Sequence, residues 1–111
     1  MSAAVALTTV ACGDDDAATP SPDADVVVIA RDNVFDADRY TAEAGDVRFS
    51  YVEEGRVPHT LLIEDVSGFK LEVRPSKRLD EGSVELQPGT YTLYCDVPGH
   101  RSTMQATLDV T

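Results

Sequence analysis

The sequence predicts an all-β domain over residues 26–111, a Greek-key β-sandwich or barrel of seven or eight strands. Three observations lead there. Short runs of β-branched and aromatic residues recur, several alternating apolar with polar at the two-residue period of a strand. Gly, Pro, Asn, Asp and Ser punctuate them at intervals that suit hairpins and short loops. No stretch sustains the 3.6-residue period of an amphipathic helix.

Residues 26–30 (Val-Val-Val-Ile-Ala) form a continuous apolar run, which reads as a strand buried on both faces. Residues 46–52 set Val47, Phe49 and Tyr51 against Arg48 and Ser50, the alternation of a half-buried strand. Glu53-Glu54-Gly55 reads as the break that ends it. Residues 60–63 and 69–73 are the next strands, separated by Ser67-Gly68, and residues 74–79 leave room for one helical turn at most. Gln87-Pro88-Gly89 turns into an alternating strand over 90–95 that ends on Cys95. Residues 105–111 close the chain, with Ala106, Leu108 and Val110 in phase. Internal repeats, a Gly-rich phosphate loop and a Rossmann pattern are all missing, which leaves the sandwich as the economical solution.

At 111 residues, 42% of them hydrophobic, the chain holds one domain with a core of its own. Acids outnumber bases 20 to 9, for a formal charge of −11. That balance argues against nucleic acid, which calls for a basic surface. It suits either a partner with a positive docking face or simple solubility. Lys70, Arg74, Lys77 and Arg78 form a local basic cluster, read as a solvated face rather than a docking patch.

The first 25 residues are of a different kind. Residues 1–12 carry a small-residue apolar run, too short to cross a bilayer but suited to the hydrophobic region of an export signal. No Lys or Arg precedes Arg31, so the signal is atypical or the true start lies upstream. Thr9-Val10-Ala11-Cys12 resembles a bacterial lipobox, with Cys12 as the lipidation site; a plain signal peptide, or a disulfide to Cys95, are the other readings. Residues 13–25 hold five aspartates and no large apolar side chain, the composition of a disordered acidic tether.

The chemistry is carried by an inventory. The chain has two His, two Cys and two Met. With Met1 and Cys12 set aside, His59, Cys95, His100 and Met104 are the soft or borderline ligands of the domain. Three of them lie on one loop, Cys95-x4-His100-x3-Met104, and His59 opens another strand. A thiolate and two imidazoles with a weak axial thioether suit a single copper ion in both oxidation states. Pro58 before His59, and Pro98-Gly99 within the loop, stiffen the turns that aim these side chains.

At these residues the chain resembles the cupredoxins, the blue type 1 copper proteins. Tyr94-Cys95-Asp96-Val97-Pro98-Gly99-His100, with Met104 following, has the loop spacing of azurin. Val57-Pro58-His59-Thr60 resembles the Pro-His-Asn segment of plastocyanin-like members, with Thr60 where Asn is common. The resemblance implies an eight-stranded sandwich, four copper ligands (His59, Cys95, His100, Met104) and support from Pro58, Thr60 and Asp96. It implies one-electron transfer, not enzymatic catalysis, with His100 as the electron port amid Val57, Pro98, Gly99 and Arg101. The implied partners are redox proteins: a cytochrome, an oxidase, a reductase or a photosynthetic complex. The expected state is a monomer outside the cytoplasm, lipid-anchored through Cys12.

Counting limits the rivals. A Cys-His nucleophile is conceivable, but four ligands on one ion leave no open position for substrate. Multicopper chemistry needs further His residues, and a binuclear purple site needs two Cys in the loop; neither is present. An axial Met is an unusual zinc ligand. Copper trafficking without a redox role remains the alternative.

Overall fold

The computed structural model describes residues 19–111. Cys12, the lipobox and the first part of the expected tether lie outside them. Nine strands follow in order: β1 Val26–Arg31, β2 Val34–Phe35, β3 Arg39–Ala42, β4 Gly45–Glu53, β5 His59–Ile63, β6 Lys70–Val73, β7 Leu79–Leu86, β8 Gly89–Tyr94 and β9 Gln105–Val110. No helix occurs among the described residues.

The strands make two sheets, β2-β1-β4-β7 and β3-β9-β8-β5-β6. β1 runs parallel to β4 and β3 parallel to β9, while the remaining pairs are antiparallel. The chain therefore crosses between sheets repeatedly, as in a Greek key. Their apolar faces meet in one core that includes Val47, Phe49, Tyr51, Leu61, Ile63, Leu93 and Leu108. Phe49 packs on Phe69 with ring centroids 4.9 Å apart. Gly82 lies opposite Phe49 on β7, and a Cβ there would come within 3.1 Å of Leu71. The missing side chain lets the two sheets close.

Nine strands exceed the seven or eight expected, and the additions have a common cause. β2 is two residues long, β3 is a polar edge strand, and β7 (LDEGSVEL) buries only Leu86 fully. Each is defined by pairing to a neighbour rather than by its own apolar pattern. β1 is buried on one face only: Val26, Val28 and Ala30 are inside, while Val27 and Ile29 are half-covered. Residues 74–77 form a tight turn closed by Arg74–Lys77 backbone bonds of 2.8 and 2.9 Å.

The end of the expected tether is also tied down. Ser21 N–H donates to Glu81 Oε2 at 2.9 Å, Asp25 N–H to Arg48 O at 2.8 Å, and Arg48 N–H to Asp25 Oδ2 at 2.8 Å. Composition alone suggested disorder here; backbone hydrogen bonds to β4, and one to a β7 side chain, add what side-chain burial does not.

Tyr51 spans the sandwich, its hydroxyl donating to Thr60 O at 2.8 Å. Burial, followed by the neighbouring Cys95 and Glu53, holds this hydroxyl well above the ordinary tyrosine value. Burial and then the hydrogen bond to Asp36 do the same for Tyr40. A raised folded-state value means that the folded protein keeps protons the unfolded chain gives up. Stability is thus fully present below the unfolded value near pH 10 and falls as pH rises beyond it. Two of the four tyrosines are expected to ionise only as the protein unfolds in alkali, read as delayed phenolate absorbance. Four tyrosines titrating together before unfolding would refute this.

Candidate metal centre

The end of β4, the start of β5 and the loop 95–104 between β8 and β9 converge at one end of the sandwich. Cys95 N–H donates to Met104 O at 3.2 Å, so the β8–β9 ladder clamps both ends of the loop. Within it, His100 N–H donates to Val97 O at 2.9 Å and Met104 N–H to His100 O at 2.9 Å. Gly99, at φ 87°, takes the left-handed conformation that a Cβ would strain. These turns bring His100 back toward the cysteine.

Cys95 is fully buried, and its Sγ lies 3.9 Å from His100 Nδ1. Metal–sulfur and metal–nitrogen bonds of about 2.3 and 2.0 Å fit a gap of that size. The ring of His59 lies beside that of His100, centroids 5.3 Å apart. Met104 is buried at the loop's end. His59 directs Nδ1 to Glu53 Oε1 at 2.9 Å, and its Nε2 is buried with no hydrogen-bond partner among the described residues. No three His, Cys, Asp or Glu side chains are gathered there into a group that could hold a metal unaided. Thiol, thioether and two imidazoles are the donors copper takes in a trigonal site with a weak axial ligand.

Thr60 connects β5 to the cysteine loop. Its hydroxyl donates to Asp96 Oδ1 at 2.7 Å and accepts from Asp96 N–H at 2.9 Å. With its one proton so used, the hydroxyl only touches Cys95 Sγ at 3.5 Å, whereas the backbone N–H of Thr60 approaches Sγ at 3.4 Å as a donor. Thr60→Ala leaves Asp96 N–H without this partner. The expected loss is about 1–2 kcal/mol in chemical denaturation, with Thr60→Ser restoring most of it. Equal losses in both variants would mean that the methyl group, not the hydroxyl, matters.

Val57 and Pro58 lead into His59, and Pro98 and Gly99 into His100, so the neighbouring imidazoles bring both segments to the same end. Val57, Pro58, Pro98 and Gly99 are exposed and His100 is half-buried. Arg101 is not a free charge. Its guanidinium lies over the Tyr94 ring, 3.9 Å from the centroid, and reaches Glu64 at 3.3 Å. Within the basic cluster Lys70 pairs with Glu72 and Asp96, Lys77 pairs with Asp80, and Arg78 donates to the backbone carbonyl of Glu53.

Sequence reasoning missed Glu53. Read as a strand breaker, it is the last residue of β4 and is buried with its side chain against His59. The signal was available, because Glu53 is in phase with Val47, Phe49 and Tyr51 on the inward face.

Two sheets in this order, with a Cys-to-Met loop over one end, are the fold of the cupredoxins. Neither models of known protein families nor curated proteins give a match to the chain. Among solved structures it is similar to reduced auracyanin from the photosynthetic bacterium Roseiflexus castenholzii, with a TM-score of 0.67 and 15% identity, covering 78% of this chain and 95% of that one. It is also similar to auracyanin A, a "blue" copper protein of Chloroflexus aurantiacus, with a TM-score of 0.64 and 18% identity, covering 77% of this chain and 96% of that one. At such identities the likeness establishes the fold.

Proposed function

We propose that this protein is a mononuclear blue-copper electron carrier, its ion held by His59, Cys95, His100 and Met104, working outside the cytoplasm. The observation that carries the proposal is the approach of Cys95 Sγ to His100 Nδ1, 3.9 Å, with the His59 ring beside that of His100 at a centroid distance of 5.3 Å. Likeness to copper-containing auracyanin supports it. When bound, copper supplies a centre that gains and loses one electron. The chain's part is to hold the donors still. The β8–β9 clamp fixes both ends of the loop, the Thr60–Asp96 pair ties it to β5, and burial of Cys95 and Met104 keeps water from the sulfur atoms. A site whose donors barely move suits both oxidation states, so little rearrangement opposes electron transfer.

His100, half-buried at the end of the sandwich, is the port through which the electron passes, amid Val57, Pro98, Gly99 and Arg101. The partner is a redox protein: a cytochrome, an oxidase, a reductase or a photosynthetic complex. Cys12 as a lipid anchor belongs to the same reading. Adding Cu(II) to the purified metal-free protein, then ascorbate, tests the proposal. An intense blue species that bleaches on reduction is expected. Tight binding without colour would replace electron transfer with copper trafficking.

A further inference from the structure

We infer that the metal end carries a docking surface for the acidic face of a redox partner, with Arg56, Arg74 and Arg78 as the cations that recognise its carboxylates. The inference rests on the electron-carrier reading above and adds to it the chemistry of the partner. Acids outnumber bases 20 to 9, so a base left without a carboxylate is the exception to explain. Six of the nine form ion pairs: Arg31, Arg39, Arg48, Lys70, Lys77 and Arg101. Arg56, Arg74 and Arg78 form none among the described residues, and all three are exposed. Arg78 donates to the Glu53 carbonyl at 3.1 Å, a neutral group that leaves its charge unmatched. Arg74 and Arg78 belong to the cluster that the sequence alone reads as a solvated face; the fold adds Arg56 to them.

The backbone brings the three to one place. Arg74 follows Val73, whose partner across the β5–β6 ladder is His59. Arg56 leads into Val57, Pro58 and His59, its N–H tied to Asp32 Oδ1 at 2.7 Å. Arg78 is held to the end of β4, where Glu53 N–H donates to its carbonyl at 2.8 Å. All three therefore flank the His59 side of the site, and the His59 ring lies 5.3 Å from that of His100, the expected port. Nearby carboxylates are already engaged: Asp32 by the Arg56 N–H, Glu54 by Arg31 and Asp80 by Lys77. At the opposite end the sign reverses. Asp46 and Glu85 face each other across β4 and β7, and Glu43 is exposed in the turn before β4.

The molecule is thus polarised along its strands, with unmatched arginines at the metal end and carboxylates at the other. The total charge of −11 taken alone points to a basic partner. Salt confines the reach of exposed charges to about 8–10 Å, however, so a partner at the metal end meets the arginines first. A guanidinium takes a carboxylate through two parallel N–H···O bonds, which suits Asp and Glu side chains on a protein face. An anionic membrane matches the charge as well, but seating this end on lipid would cover His100 and close the port.

Two measurements test this. In 1H–15N spectra of the metal-free protein at low salt, poly-L-glutamate should shift the amides around Arg56, Arg74 and Arg78 and leave those around Asp46 in place. The ascorbate-reduced copper protein should pass one electron to hexacyanoferrate(III), a trianion, giving the Cu(II) protein and hexacyanoferrate(II). That rate should fall about threefold or more as salt rises from about 10 to about 200 mM. The double variant Arg56→Gln/Arg74→Gln, at two exposed side chains, should lose the fall. A wild-type rate that rises with salt, as the net charge alone demands, or a fall unchanged in the variant, overturns the inference while the copper reading stands. Polyglutamate shifts that are absent or scattered over the surface overturn it too. Shifts with phosphatidylglycerol vesicles but none with polyglutamate would give the patch to a membrane and overturn the protein partner. A protein that forms no blue species overturns the copper reading itself, and the polyglutamate spectra, which need neither copper nor a variant, still decide the patch.

Discussion

Cys95→Ser is expected to abolish the intense visible band of the Cu(II) protein and to weaken Cu(II) binding by several orders of magnitude. The band requires a thiolate bonded to copper, and Cys95 is the domain's one sulfur able to ionise. A hydroxyl in the same place is a poor, hard donor that stays protonated. The fold should survive, because Ser nearly matches Cys in volume and the loop is held by backbone bonds at Cys95, His100 and Met104. Absorbance and circular dichroism on the same sample separate the two effects. A Cys95→Ser protein as blue as the wild type would place the chromophore elsewhere and refute the ligand set.

The largest stability effect is expected at Phe49. It is 1% exposed, lies on the central strand β4, and packs on Phe69 across the sandwich. Phe49→Ala removes a whole ring where Gly82 opposite offers no side chain to fill the space. The expected loss is about 3–5 kcal/mol. Against a total stability of about 5–15 kcal/mol for a domain of this size, that brings unfolding within reach of ordinary temperatures. Denaturant titration of the metal-free protein measures it. A loss below about 1 kcal/mol would mean that the sheets collapse onto each other, and that Phe49 is not what spaces them.

The two substitutions act at different levels, one on the chemistry and one on the frame that holds it. Glu53 and Thr60 lie between those levels. Glu53 touches the expected ligand His59, and Thr60 ties β5 to Asp96 beside the expected ligand Cys95, so their variants should change the site's properties or local stability without erasing either.

How much of this could be read in advance follows the physics. Six strands were legible because their inward faces carry Val, Ile, Leu, Phe or Tyr, and burial of such residues leaves a direct trace in residue type. The loop 95–104 was legible because sulfur and imidazole donors are scarce here and their spacing is local. β3 and β7 were not, since a strand held by neighbours through its backbone needs no particular side chains. The contacts of residues 21–25 were not legible either, because the main-chain bond of Asp25 to Arg48 and the carboxylates of Glu81 and Asp25 that accept from main-chain N–H groups leave no apolar pattern.

Sequence alone determined the all-β class, the candidate donors His59, Cys95, His100 and Met104, and the acidity that argues against nucleic acid. Only the tertiary structure decided that the rings of His59 and His100 lie side by side, that Thr60 grips Asp96, and that Glu53 turns inward to His59. Those are distances between residues far apart along the chain or on opposite sheets. They exist because the strands cross between sheets as they do, and no local pattern encodes a crossing.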